Sequence, residues 1–245
     1  MNILFEIHQD LPREAPGDNS QTRKALSMLR DLPARPRILD IGCGTGMQTI
    51  ELAKQTQGMI TAIDNHAPYL EELKQQAAKE GVSSRITTLQ ASMFDLEFEK
   101  ESIDLIWSEG AIYIIGFEKG IREWKPFLKR SGYIAVTELS WMKADPPEEV
   151  RSFWETEYPG MKKMEDNQKI IRGAGYEEVG HFVLPDTSWW EPYYHPMESR
   201  LEMLRRKYGE DESVKKPIAD TQQEIEMYRR YSAWYGYVFY LMQAR

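Results

Sequence analysis

Short apolar runs alternate with amphipathic stretches along most of the chain. Arg37 to Ile41, Met59 to Asp64, Arg85 to Gln90, Ile103 to Ser108 and Gly132 to Leu139 each read as a short buried strand. Apolar residues at helical spacing fill the gaps, at about Gly46 to Gln57, Pro68 to Glu80 (closed by Gly81) and Glu118 to Lys129. Upstream, Ser20 is positioned to cap a helix to about Asp31 with Ala25, Leu26 and Leu29 on one face. Downstream, Glu165 to Gly173 reads as a helix, Val179 to Leu184 as a sixth strand and Gly236 to Met242 as a seventh. Residues 1–19 read as irregular, with turns at Pro12, Pro16 and Gly17.

Apolar strands separated by helices predict a parallel sheet covered on both faces. The expected fold is therefore α/β and Rossmann-like: a seven-stranded, mostly parallel sheet with helices on both faces. A helical insertion, residues 186–231, precedes the last strand, with helices near Pro196–Tyr208 and Ile218–Tyr231. Residues 1–245 are read as a single domain, with 1–19 as an N-terminal lid segment.

The most informative stretch is Asp40-Ile41-Gly42-Cys43-Gly44-Thr45-Gly46, between a strand and a helix. Glycines there allow a sharp turn and a close ligand approach. Twenty residues past Gly44, the second strand ends in Asp64, followed by Asn65. That is where an acid binding ribose hydroxyls belongs in this architecture. A dinucleotide fingerprint needs a third glycine where this chain has Met47. A pyrophosphate at the loop would also be repelled by Asp40. S-adenosylmethionine has no phosphate, and its sulfonium and ammonium tolerate an acid.

On these residues the sequence resembles the class I S-adenosylmethionine-dependent methyltransferases, whose first motif is an acid followed by G-x-G-x-G. The resemblance implies that Asp40, Gly42, Cys43, Gly44 and Gly46 form the loop beside the methionine part of the cofactor, and that Asp64 binds both ribose hydroxyls. It also implies that the stretch after the third strand contacts the adenine. Here that stretch carries Ser92 and Met93, where an aspartate and a small residue are common. The segments Leu11 to Gly17 and Trp107 to Tyr113 are similar to a microbial small-molecule subgroup of that family.

The expected activity is methyl transfer from S-adenosylmethionine to a small-molecule acceptor by in-line displacement. The alternatives are a non-catalytic cofactor-binding regulator and a nucleotide-dependent oxidoreductase. Methyl transfer requires alignment, exclusion of water and, for some acceptors, a base. Glu109, at the end of the fourth strand, is a candidate acceptor-binding group, base or cofactor contact. Tyr113 follows one turn later, and Glu138 and Trp141 end the fifth strand beside the same pocket. His195 and His8 are candidate bases if their segments close over the site, and His66 is expected near the adenosine. Cys43, the one cysteine, reads as a small filler in the loop. The expected closure has Leu11 to Gly17 folding over the cofactor, while Trp189 to His195 shapes the acceptor pocket.

A net charge of −8 disfavours broad contact with nucleic acid phosphates. No metal is expected, since the four histidines show no metal-ligand spacing. The N-terminus lacks the pattern of a signal peptide and no apolar run spans a bilayer, so the expectation is a cytoplasmic protein without a membrane partner. Oligomeric state is left open.

Overall fold

The computed structural model describes residues 3–209 and 211–245. Met1 and Asn2 of the expected N-terminal segment, and Glu210 of the expected insertion, lie outside the described residues.

The first five strands stand where the apolar runs place them: β1 (Arg37–Ile41), β2 (Met59–Asp64), β3 (Ile86–Gln90), β4 (Ile103–Ser108) and β5 (Leu128–Trp141). Two-residue β6 (Lys162–Lys163) pairs with the end of β5, and β7 (Tyr176–Val183) and β8 (Tyr235–Ala244) complete the sheet. The order is β3-β2-β1-β4-β5-β8-β7, and β8 alone runs antiparallel to its two neighbours. The chain turns back between β1 and β4, which opens a crevice beyond the carboxyl ends of those strands.

Helices cover both faces. Ile38, Leu105, Trp107 and Ala135 point into one core with α2 (Asn19–Ser27), α3 (Met47–Gln55) and α4 (Ala67–Lys79). Leu39, Ile41, Ile106, Ile134 and Val136 point into the other, against Ile121 and Trp124 of α5 (Phe117–Trp124) and Ile171 of α7 (Met164–Gly173). Strands buried on both sides explain why their sequences are nearly continuous apolar runs.

The structure corrects several expectations. Residues 3–8 form a short helix, α1 (Ile3–His8), rather than an irregular segment. Six residues do not hold a helix by themselves. This one is docked: Ile7 is buried, Arg200 Nε donates to the Glu6 carbonyl at 2.8 Å, and Tyr208 OH donates to the Glu6 carboxylate at 2.6 Å. The cap of α2 is Asp18, not Ser20, and accepts from the Ser20 and Gln21 amides. Helix α5 ends before Pro126, so β5 starts earlier than expected. An unforeseen helix, α6 (Glu148–Glu157), follows Pro147. In the insertion, α8 (Thr187–Trp189) runs through a π turn (Trp190–Tyr194) into α9 (His195–Tyr208). Helix α10 (Glu212–Tyr231) starts earlier than Ile218 because Asp211 caps it.

Candidate functional site

Where β1 ends, Gly42 takes a φ of 71°. A Cβ there would lie 2.4 Å from the Ala111 Cβ, so both the turn and the close approach require glycine. The Gly42 and Cys43 amides both donate to the Ile63 carbonyl at 2.9 Å, which ties the loop to β2. The Gly44 amide donates to Asp64 Oδ2 and the His66 amide to Oδ1, each at 2.9 Å. The loop and the acid at the end of β2 are thus one hydrogen-bonded unit.

Above this unit lies a cavity of about 340 Å³. Gly42, Cys43, Gly44, Asp64, Asn65, Ser92, Met93, Glu109 and Tyr113, all singled out from the sequence, line it. Asp40 and Gly46 do not. Asp40 is buried beneath the loop, where Thr49 Oγ1 donates to it at 2.5 Å and its other oxygen has no partner. Burial pushes its carboxyl up to about 7. Gly46 faces Leu73 of α4 instead. Cys43 is buried and its thiol is pushed up by burial, as suits a filler rather than a nucleophile.

Glu109 is held by three donors: Arg13 Nη1 at 2.6 Å, Thr22 Oγ1 at 2.7 Å and Trp107 Nε1 at 2.8 Å. Its partner Arg13 also lines the cavity and is 4% exposed, so this ion pair is enclosed. Sequence reasoning missed Arg13, although a buried acid at a strand end called for a cation. The same segment contributes Glu14 and Ala15 to the cavity. Ala15 lies so close to Gly110 that a Cβ there would be 2.2 Å away. Glu14 accepts from Tyr69 OH at 2.6 Å, leaves its second oxygen buried and unpartnered, and is pushed up to about 7 by burial. Phe5 of α1, also lining the cavity, stacks on His66 with ring centroids 3.8 Å apart.

His195 is not brought to the site. It is exposed and packs beside Trp190. The aromatics before it are spent largely on the core: Trp189 stacks on Tyr228 at 4.1 Å, and Tyr194 is fully buried. None of Trp189 to His195 lines the cavity. Only Tyr193 reaches its border, where its hydroxyl lies 3.3 Å from Nε2 of His8, a lining residue. At the end of β5, Glu138 accepts from Tyr158 OH at 2.5 Å and burial pushes it up to about 8. Among the described residues no group of three or more His, Cys, Asp or Glu could hold a metal ion, and no helix is long and apolar enough to cross a membrane.

A family model described as a methyltransferase domain matches residues 38–132, the stretch from β1 through β4 to the start of β5. The uncharacterised methyltransferase YodH of Bacillus subtilis is 27% identical over 179 residues, covering 72% of this chain and 75% of that protein. The fold superposes on a methyltransferase of Thiobacillus denitrificans in complex with S-adenosylhomocysteine, with a TM-score of 0.86, 21% identity and coverage of 100% and 99%. The chain is a class I S-adenosylmethionine-dependent methyltransferase. A sterol 24-C-methyltransferase of Gibberella zeae is also similar, 27% identical over 69% of this chain, but the match covers only 46% of that protein. The methyltransferase assignment sets aside the oxidoreductase and regulator alternatives.

The residues present suit S-adenosylmethionine. The glycine loop offers a Cβ-free approach beside Asp64, and the cavity is lined by the acids Glu14, Asp64 and Glu109 while its one arginine, Arg13, is paired with Glu109, a balance that suits a cationic cofactor.

The buried acids also make the methyltransferase's stability depend on pH. Asp40 and Glu14 keep their protons to about 7 and Glu138 to about 8, whereas the unfolded chain releases them near 4. The folded state then binds more protons, so stability falls as pH rises through this window. His8 acts oppositely, since burial holds it below its ordinary value, but only under about pH 6.5. The melting temperature should therefore drop between about pH 6.5 and 8.5. One decade of retained proton affinity is about 1.4 kcal/mol, or about 3–5 °C for a chain of this size. Differential scanning fluorimetry across that window checks it, and a rising melting temperature would contradict the burial of these carboxyls.

Proposed function

We propose that the methyltransferase acts on a small-molecule acceptor that enters beside Tyr113, within a single domain comprising residues 1–245. The observation that carries this reading is the roof. Arg13, Glu14 and Ala15 lie across the glycine loop and the end of β4, and leave a cavity of a size typical for small ligands. A protein or nucleic acid strand would have to displace that segment. The net charge of −8 also argues against a nucleic acid acceptor.

In this reading the glycine loop, Asp64 and Asn65 hold the ribose and methionine parts of the cofactor, and Ser92 and Met93 flank the adenine. S-adenosylmethionine supplies the methyl group on a sulfonium that is already an excellent leaving group. The protein aligns the acceptor and keeps water out. Residues 1–19 act as the lid and residues 186–231 brace it: the Gly17 amide donates to the Ser188 carbonyl at 2.9 Å, and Ser188 Oγ donates to Asp18. Glu109, saturated by its three donors, positions the lid through Arg13 rather than serving as a base. Tyr113 is the candidate that faces the acceptor.

The test is S-adenosylhomocysteine release with a panel of amines, phenols, carboxylic acids and activated carbon acids, beside labelled-methyl transfer to total protein and RNA. Turnover of at least one small molecule is expected. Label entering only macromolecules would reverse the reading.

A further inference from the structure

Next to the cavity, past Tyr113, lies a group of side chains that the cofactor does not account for. Glu138 at the end of β5 is 1% exposed. One of its oxygens accepts from Tyr158, and the other is buried without a partner. The Tyr158 ring meets Tyr113 edge-on, with centroids 5.9 Å apart. On α10, half-buried Glu224 accepts from Tyr194 OH at 2.9 Å, and the Tyr194 ring lies 5.2 Å from that of Tyr193. Tyr237, at the start of β8, is nearly buried. Its ring lies 5.3 Å from that of Trp189, which lies 5.7 Å from that of Tyr194, so Tyr237 stands beside the Tyr193–Tyr194 pair.

The charge in this neighbourhood is one-sided. Among the described residues neither Glu138 nor Glu224 forms an ion pair with a lysine or arginine. Exposed Lys162 is the cation that acts on Glu138 from a distance, and Glu157 adds further negative charge near Glu224. Burying carboxylates without a cation is costly, and the second Glu138 oxygen, buried beside tyrosine rings, is a polar atom that lacks a partner. Tyrosine faces attract a cation through their quadrupoles, and the effect grows when the site is dry.

We propose that Tyr113, Tyr158, Tyr193, Tyr237, Glu138 and Glu224 form a subsite for the positively charged nitrogen of the acceptor, an amine or ammonium compound. The proposal rests on the small-molecule reading above and narrows it. Tyr113, 43% exposed and shared with the cavity, is the threshold between subsite and cofactor. Without a cation beside it Glu138 holds its proton to about 8; entry of the ammonium group releases that proton to solvent, so that the carboxylates then supply the charge while the aromatic rings select for shape.

The test is calorimetric titration at pH 8.5, where Glu138 is charged, of full-length protein saturated with S-adenosylhomocysteine, using choline and its uncharged isostere 3,3-dimethylbutan-1-ol. Choline is expected to bind at least tenfold more tightly than the isostere. Glu138→Gln should abolish most of that preference and leave S-adenosylhomocysteine affinity within twofold, which reports an intact fold. Should Glu138→Gln fail to fold, Glu224→Gln carries the same expectation. Equal binding of the two probes, or a preference that survives these substitutions in folded protein, overturns the proposal. The turnover panel separates the two readings. Activity confined to phenols or carboxylic acids sinks the cationic subsite but keeps the small-molecule reading, whereas label found only in macromolecules sinks both.

Discussion

Asp64→Ala is expected to weaken binding of S-adenosylmethionine at least tenfold. The carboxylate stands at the end of β2, in the cavity wall, and is aimed by the Gly44 and His66 amides, each 2.9 Å away. A carboxylate that accepts ribose hydroxyls makes charge-assisted bonds worth about 1.5–3 kcal/mol each, and about 1.4 kcal/mol is one decade of affinity. The same two amide bonds mean that the apo protein also loses some stability, because alanine leaves both donors without their acceptor. Asp64→Asn separates the effects: it keeps an acceptor for the loop but removes the charge. It should hold the melting temperature closer to wild type while still binding the cofactor weakly. Calorimetric titration measures both variants. An unchanged dissociation constant for Asp64→Ala would mean that the ribose lies elsewhere.

The parts of this molecule that were legible in the sequence are those whose physics is local. Strands buried on both faces must be apolar throughout, so β1 to β5 are visible as runs. The Gly42 to Gly46 loop is visible because positive φ and close approach leave no other residue type, and Asp64 is visible because its strand ends there. What the sequence concealed depends on distant partners. Helix α1 is six residues long and stands through contacts with partners such as Arg200 and Tyr208, about two hundred positions away. Arg13 sits in a stretch rich in turn residues, with no local sign that it would be buried against Glu109. The aromatic run at Trp189 to His195 has the composition of a ligand pocket, but burying the most surface took Trp189 and Tyr194 inward and left His195 outside. The residues grouped around Glu138 and Glu224 come from α10, β5, β8, the π turn before α9 and the segments after β4 and α6, so no spacing announces them.

Arg13→Met is expected to be the most damaging single substitution at the lid. It removes the cation paired with Glu109, whose side chain is 3% exposed, and among the described residues the acid's other two partners, Thr22 and Trp107, are uncharged. Breaking a buried ion pair from one side costs about 3–5 kcal/mol, since the remaining charge is left without compensation. Thr22 and Trp107 still donate to Glu109, which places the loss toward the lower end. For a chain of this length that is about 6–12 °C in melting temperature. Methionine fills most of the volume of the arginine stem, so the loss reports charge rather than a cavity. The lid should loosen with it, because Arg13 also donates to Met47 Sδ at 3.2 Å and to Thr22 Oγ1 at 3.3 Å, which ties the segment to both α2 and α3. Adding Glu109→Gln removes the stranded charge, and the double variant should regain well over half of the lost stability, as coupled neighbours do. Thermal melts of the two single variants and the double variant give the coupling directly. If the single-variant losses simply add, the pair contributes packing alone and the lid is held by something other than this contact.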